Sequence, residues 1–209
     1  MKIIEPSVEL AQDLNAAEIM KHIERAGRVC YKSESNISDT SAEKFISNII
    51  KSGHESVIEH VSITFKIICD RGITHEIVRH RLASYSQESS RYCDYSAGKF
   101  DGELTFIKPC YWNENEENYL LWLETMQTLE KNYLAMRKAG ARPEQARAIL
   151  PNSLKTEIFM TANLREWRHF LKLRTSKRAH PQMRQIALKI FEILNEKLPV
   201  IFSDIKPDE

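Results

Sequence analysis

Residues 79–91, Arg-His-Arg-Leu-Ala-Ser-Tyr-Ser-Gln-Glu-Ser-Ser-Arg, put Arg79, His80, Arg81 and Arg91 in one window with the hydroxyls of Ser84, Ser86, Ser89 and Ser90. Guanidinium groups present planar forks of donors that match phosphate oxygens, and hydroxyls add short donors beside them. Packing gives a soluble protein little reason to gather so many anion donors. A solvated helix end would account for the basic triplet, but not for the serines and Arg91 that follow. The window reads as an anion site for a nucleotide or a dinucleotide cofactor.

A second basic group comprises Arg147, Arg165, Arg168, Arg174, Lys177 and Arg178. Arg168, Lys177 and Arg178 are expected on an exposed basic face. Arg147 lies between Ala146 and Ala148, one turn before Pro151, and is expected to be buried against an anionic partner. Arg174 closes an apolar helical pattern of Trp167, Phe170, Leu171 and Leu173. The segment Gly53-His54-Glu55-Ser56-Val57-Ile58-Glu59-His60 invites a metal reading but is not HExxH, because Ile58 stands where the second histidine belongs. No metal is expected. Neither GxGxxG nor GxxxxGK[ST] occurs, so side chains must do the work that glycine-loop amides do in Rossmann and P-loop sites.

The elements that must hold these groups follow from periodicity. Helices are expected over 16–29, over 41–52 with Thr40 as N-cap and Gly53 after its end, and over 71–82, which would deliver Arg79, His80 and Arg81 at a helix end. Residues 61–69 alternate and are β-branched, hence a strand. The stretch 84–96 is expected to be a long loop, and 103–108 a second strand. A long helix from 116 to 138 should stop at Gly140, and a short one should carry Pro143 in its first turn. A strand over 154–162 and helices over 164–174 and 181–198 complete the chain. This order fits an α+β fold better than a βαβ series. The expectation is one domain over residues 1–209, with a central, mainly antiparallel sheet flanked by helices.

Composition narrows the classes. The net charge of +1 provides no global field for nucleic acid or an anionic membrane. Charge is nonetheless uneven: residues 101–130 hold seven acids and one lysine, while 147–178 hold eight Lys/Arg and two glutamates. No apolar run approaches the roughly 20 residues that span a bilayer, and the N-terminus MKIIEPSVEL lacks a signal-peptide core. Cys30, Cys69, Cys93 and Cys110 are widely spaced, which fits reduced thiols in a cytoplasmic protein.

Arg79-His80-Arg81, seven residues and then Ser89 resemble the RHR-x7-S signature of the flavin-dependent thymidylate synthases. The flanking LASYS and SSRY, GHES…EH at 53–60, ARAILP at 146–151, TAN at 161–163 and FLKLR at 170–174 are similar to that family in the same order. The resemblance implies transfer of a methylene from methylenetetrahydrofolate to C5 of dUMP, with a hydride from reduced FAD and NADPH as reductant. It also implies a homotetramer of α+β subunits with shared active sites, no enzyme nucleophile, and neither nucleic acid nor membrane as partner.

Carried over position by position, the resemblance assigns Arg79, His80 and Arg81 to FAD, with Arg79 also beside dUMP. Ser56, Glu59, Asn163, Arg165 and His169 match further flavin positions. Ser89, Ser90 and Arg91 match the dUMP phosphate grip, Arg147 a dUMP-binding arginine, and Arg174 the arginine that polarises uracil. His54 matches a residue at the folate and flavin entrance. Gln87 falls at both flavin and substrate positions, and Glu76 and Glu88 at substrate positions. Gln87 stands where glutamate is common and Glu76 where glutamine is common, so the two charges are exchanged. Two other readings are a flavin- or nucleotide-binding protein without synthase activity, and a nucleic-acid-binding module built on the basic stretch.

Overall fold

The computed structural model describes residues 1–208. In chain order the elements are β1 (Lys2–Ile4), β2 (Ser7–Leu10), α1 (Ala16–Tyr31), α2 (Ser41–Lys51), β3 (Ser62–Asp70), α3 (Arg71–Ile77), β4 (Ala83–Gln87), β5 (Thr105–Ile107), α4 (Glu117–Lys138), α5 (Pro143–Ala146), β6 (Lys155–Asn163), α6 (Leu164–Arg174), α7 (Pro181–Lys197) and α8 (Pro199–Phe202). One sheet runs β2-β3-β6-β4 and a second pairs β1 with β5. The fold is α+β with a mainly antiparallel sheet. Two compact units divide the chain: Met1–Ser7, Ile67–Arg79 and Ser86–Ile158 form one; Val8–Lys66, His80–Tyr85 and Phe159–Glu209 form the other. The division falls between Arg79 and His80, inside the basic triplet.

In the first unit, β1 and β5 are parallel, with Lys2 opposite Thr105 and Ile4 opposite Ile107. Beneath them Leu104, Phe106, Met126, Tyr133, Ala146 and Leu154 form an apolar core. The main chain of α3 starts where β3 ends: the Arg71 amide donates to the Leu154 carbonyl at 3.0 Å and the Gly72 amide to Asn152 at 3.1 Å. Asp70 caps α3 through the Ile73 amide at 2.8 Å. A side chain at Gly72 would bring its Cβ within 3.1 Å of that capping carboxylate, so glycine suits the close approach.

In the second unit, α1 starts at Asn15, whose side chain accepts from the Glu18 amide, and packs its inner face on α2. Gly27 makes that approach possible, since a Cβ there would lie 2.6 Å from the Phe45 ring. Within this unit β3 and β6 are antiparallel: the Leu164 amide bonds to the Val61 carbonyl, and three residues along β3 and back along β6 the Thr64 and Thr161 hydroxyls meet at 2.9 Å. Trp167 of α6 anchors on the same strand, its indole N–H donating to the Ile63 carbonyl at 3.0 Å. Phe65, Trp167 and Phe170 meet edge to face around it.

Four sequence expectations change. The helix expected over 71–82 stops at Ile77; Arg79 lies in the closing turn, its amide donating to the Glu76 carbonyl, and His80 and Arg81 follow as irregular chain. Burial of the His80 ring and entry into β4 override the helical pattern. The expected loop at 84–96 begins with a strand, β4, in which exposed Ser84 and Ser86 alternate with half-buried Ala83, Tyr85 and Gln87. Arg147 is exposed, because it sits in a single 3-10 turn with no apolar face to cover it. Arg168 is the buried arginine, 1% exposed. The expected positions of Gly53 and Gly140 hold: both adopt positive φ, 71° and 93°, after the helices they follow.

Candidate active site

The residues expected on the nucleotide side, Gln87 to Arg91, lie at the end of β4 and in the turn after it. Gln87 donates through Nε2 to the hydroxyls of Thr74 at 3.0 Å and Thr156 at 3.2 Å. Both oxygens of Glu88 are engaged internally, accepting from Tyr95 Oη at 2.7 Å and Lys155 Nζ at 2.9 Å. Desolvation, with Glu88 beside it, pushes the Tyr95 phenol far above its ordinary pKa, so it stays a donor. The Ser89 carbonyl accepts from the Tyr92 and Cys93 amides, and Ser89 Oγ accepts from the Arg91 amide at 3.3 Å. Ser90 is buried, whereas Arg91 is exposed over the Tyr92 ring at 5.2 Å. A turn pinned from inside thus shows a guanidinium outward. Arg79 and Arg147 are also exposed, and neither makes an ion pair among the described residues; Glu76 is half-buried on α3. Among the described residues no hydrogen bond joins the side chain of Arg79 or Arg147 to Ser89–Arg91.

A cleft of about 580 Å³ includes Glu59, Leu82, Asn163, Arg165, His169 and Lys172 in its wall. Four of the expected flavin residues, Glu59, Asn163, Arg165 and His169, are therefore together. Asn163 caps α6, accepting from the Glu166 amide at 2.9 Å. Arg165 pairs with Glu59 at 2.5 Å with both side chains exposed. The 3-10 turn Glu55–His60 that carries Ser56 and Glu59 is tied down by Arg168, whose Nε reaches Glu55 at 3.0 Å while its other nitrogens hold Asp204 at 2.6 and 2.7 Å. Ser56 and Arg81 are exposed, and His54 Nδ1 hydrogen-bonds with Tyr31 Oη at 3.0 Å.

His80 and Arg174 meet in this unit. Arg174 Nε lies 3.1 Å from His80 Nε2, and His80 Nδ1 lies 3.0 Å from Glu166 Oε1. Glu166 was not among the sequence candidates. Its signal is the Asn163-x-x-Glu166 spacing of a helix start, although the carboxylate turns to His80 rather than back to the cap. Lys172 was likewise missed. Among the described residues, His80, Glu166 and His169 could bring ligand atoms within 4.8 Å of one another, but the Arg174 cation on His80 opposes a metal ion there.

The cleft is within the usual range for small-molecule sites; Arg165, Lys172 and His169 supply donors at its wall, beside the carboxylates of Glu55, Glu59 and Glu166. Cys69 is buried, and desolvation raises its thiol well above the ordinary range, so it offers no thiolate nucleophile.

The chain matches the family described as "Thymidylate synthase complementing protein" over residues 14–200. It is 38% identical over 172 residues to the flavin-dependent thymidylate synthase of Pyrococcus furiosus, covering 82% of this chain and 68% of that one. The Mycobacterium avium flavin-dependent thymidylate synthase is 34% identical over 216 residues, covering 96% of this chain and 84% of that one. A solved structure of PolB, a UMP/dUMP methylase from Streptomyces cacaoi bound with 5-Br dUMP, has the same fold: TM-score 0.78 at 23% identity, covering 97% of this chain and 96% of that chain. The signature triplet, the cleft and the matches all lead to one conclusion: the chain belongs to the flavin-dependent thymidylate synthase family.

Proposed function

We propose that this protein methylates dUMP reductively to dTMP, taking carbon from methylenetetrahydrofolate, with NADPH as the reductant of FAD and no covalent enzyme nucleophile. The observation that carries this reading is the intact signature, whose His80 touches Arg174 directly. FAD, when bound, supplies the hydride. Glu59, Asn163, Arg165 and His169 would hold it, with Ser56, Arg79, His80, Arg81 and Gln87 contributing around them. Ser89, Ser90 and Arg91 grip the dUMP phosphate, with Glu76, Glu88 and Arg147 around the nucleotide. His54 lies at the folate entrance. Arg174 places positive charge at the uracil edge, where negative charge develops as the ring is activated. Residues 1–209 serve this activity as one domain, in the cytoplasm, as a homotetramer with shared active sites. No helix among the described residues is long and apolar enough to cross a membrane.

Purified protein should absorb near about 450 nm, as a flavoprotein does. NADPH should bleach that band, and dUMP with methylenetetrahydrofolate should restore it with formation of dTMP. A bleached flavin indifferent to dUMP would identify a binding protein without synthase activity. A colourless protein with steep salt-dependent oligonucleotide binding would identify a nucleic-acid module.

A further inference from the structure

An arginine that polarises uracil must be held in one orientation and must also keep its charge. Arg174 ends α6, and its Nε–H donates to His80 Nε2 at 3.1 Å. Arginine has no acceptor, so Nε2 is the bare nitrogen of a neutral ring. The ring proton therefore sits on Nδ1 and donates to Glu166 Oε1 at 3.0 Å. His80 is 5% exposed and packs on the rings of Phe170, 4.8 Å away, and His169, 5.7 Å away. Its carbonyl accepts from the Tyr85 hydroxyl.

We infer that His80 and Glu166 are positioning residues for Arg174: the carboxylate fixes the tautomer of a neutral imidazole, and the imidazole fixes the guanidinium. The inference rests on the role proposed above for Arg174. The imidazole bridges the carboxylate and the guanidinium: its Nδ1 side is fixed by Glu166 and its Nε2 side sets the direction of Arg174 Nε. Protonation of His80 would place an N–H at Nε2, facing Arg174, and break the arrangement. The groups facing the ring are Glu166, His169 and Arg174 from α6 and Tyr85 from β4. Burial lowers the His80 pKa; Glu166 opposes this, while Arg174 and His169 add to it. The neutral form therefore holds to lower pH than in a free histidine.

The test uses the full-length holoenzyme. In His80→Gln a side-chain oxygen reaches the Nε2 position and can accept from Arg174; in His80→Asn it does not. With both variants saturated with FAD, the Gln variant should exceed the Asn variant in kcat by at least about tenfold, with an acid limb that no longer depends on residue 80. Histidine 15N spectra, with the His80 signals assigned by their loss in His80→Gln, should show the Nδ1–H tautomer and titration below the ordinary histidine value. Glu166→Gln should lower that titration point further, and Arg174→Ala should raise it. An Nε2–H tautomer in the parent, or equal loss of kcat in both His80 variants, overturns the inference. If neither His80 variant folds, the His80 signals are assigned instead by their opposite shifts in Glu166→Gln and Arg174→Ala, and the parent tautomer still decides it. An active Arg174→Ala enzyme would instead remove the role of Arg174, while the tautomer measurement would still report on the arrangement.

Discussion

The turn after β4 and the cleft beside α6 use arginine in opposite ways. At the turn the anchoring is indirect: Glu88, Tyr95 and Lys155 fix the backbone from inside, and Arg91 is left exposed. Beside α6, Arg174 itself is held at its Nε by a buried ring. A phosphate spreads charge over several oxygens and can be met by a mobile guanidinium on a fixed backbone. A uracil edge demands one direction, so the guanidinium itself must be fixed. On the roles proposed above, rigidity is placed according to what each ligand requires.

The largest effect that would sharpen this contrast is on turnover. Arg174→Ala should cut dTMP formation by about 10²-fold to 10³-fold, as loss of a transition-state donor does, with FAD still bound; normal turnover would remove the contrast altogether. Next comes stability: Arg168→Ala strips two carboxylates of a buried partner and should cost about 3 kcal/mol, near the low end for a broken buried pair because Asp204 is half exposed. Thermal unfolding checks this, and a loss below about 1 kcal/mol, the worth of a surface pair, would show that the clamp is not holding the Glu55–His60 turn. Arg91→Ala should raise the KM for dUMP by roughly tenfold to a hundredfold, as expected for a charge-assisted hydrogen bond, with kcat nearly unchanged. A fall in kcat alone would mean that Arg91, like Arg174, works by orientation. Arg165→Ala should weaken flavin binding severalfold in a titration while thermal unfolding stays unchanged, since its pair with Glu59 is exposed. Smallest of all, Cys93→Ala should leave turnover intact; a folded but inactive variant would reopen covalent catalysis.

Long apolar repeats made α1, α2, α4, α6, α7, β3 and β6 readable, because burial of one face repeats over several turns or several alternating residues. β1 and β2 are three and four residues long, too short for a period to emerge. α3 ends where His80 finds its place beside α6, a long-range contact with no local trace. The two arginines exchanged burial for a reason that spacing could have revealed. Arg168 falls four residues after Leu164 and three before Leu171, on the inner face of α6. Arg147 has alanine neighbours but no helix long enough to possess an inner face. The candidate site residues came from the signature and its flanking motifs, whereas Glu166 and Lys172 entered only with the cleft.

β4 carries one more consequence. It lies at an end of the four-stranded order, and its outward positions are Ser84 and Ser86. Edge strands invite pairing with other chains, and apolar outward residues strengthen that invitation. The hydroxyls that hide this strand from a hydropathy reading thus also keep its outward positions polar. Valine at both positions would make the strand easier to recognise and the protein harder to keep in solution.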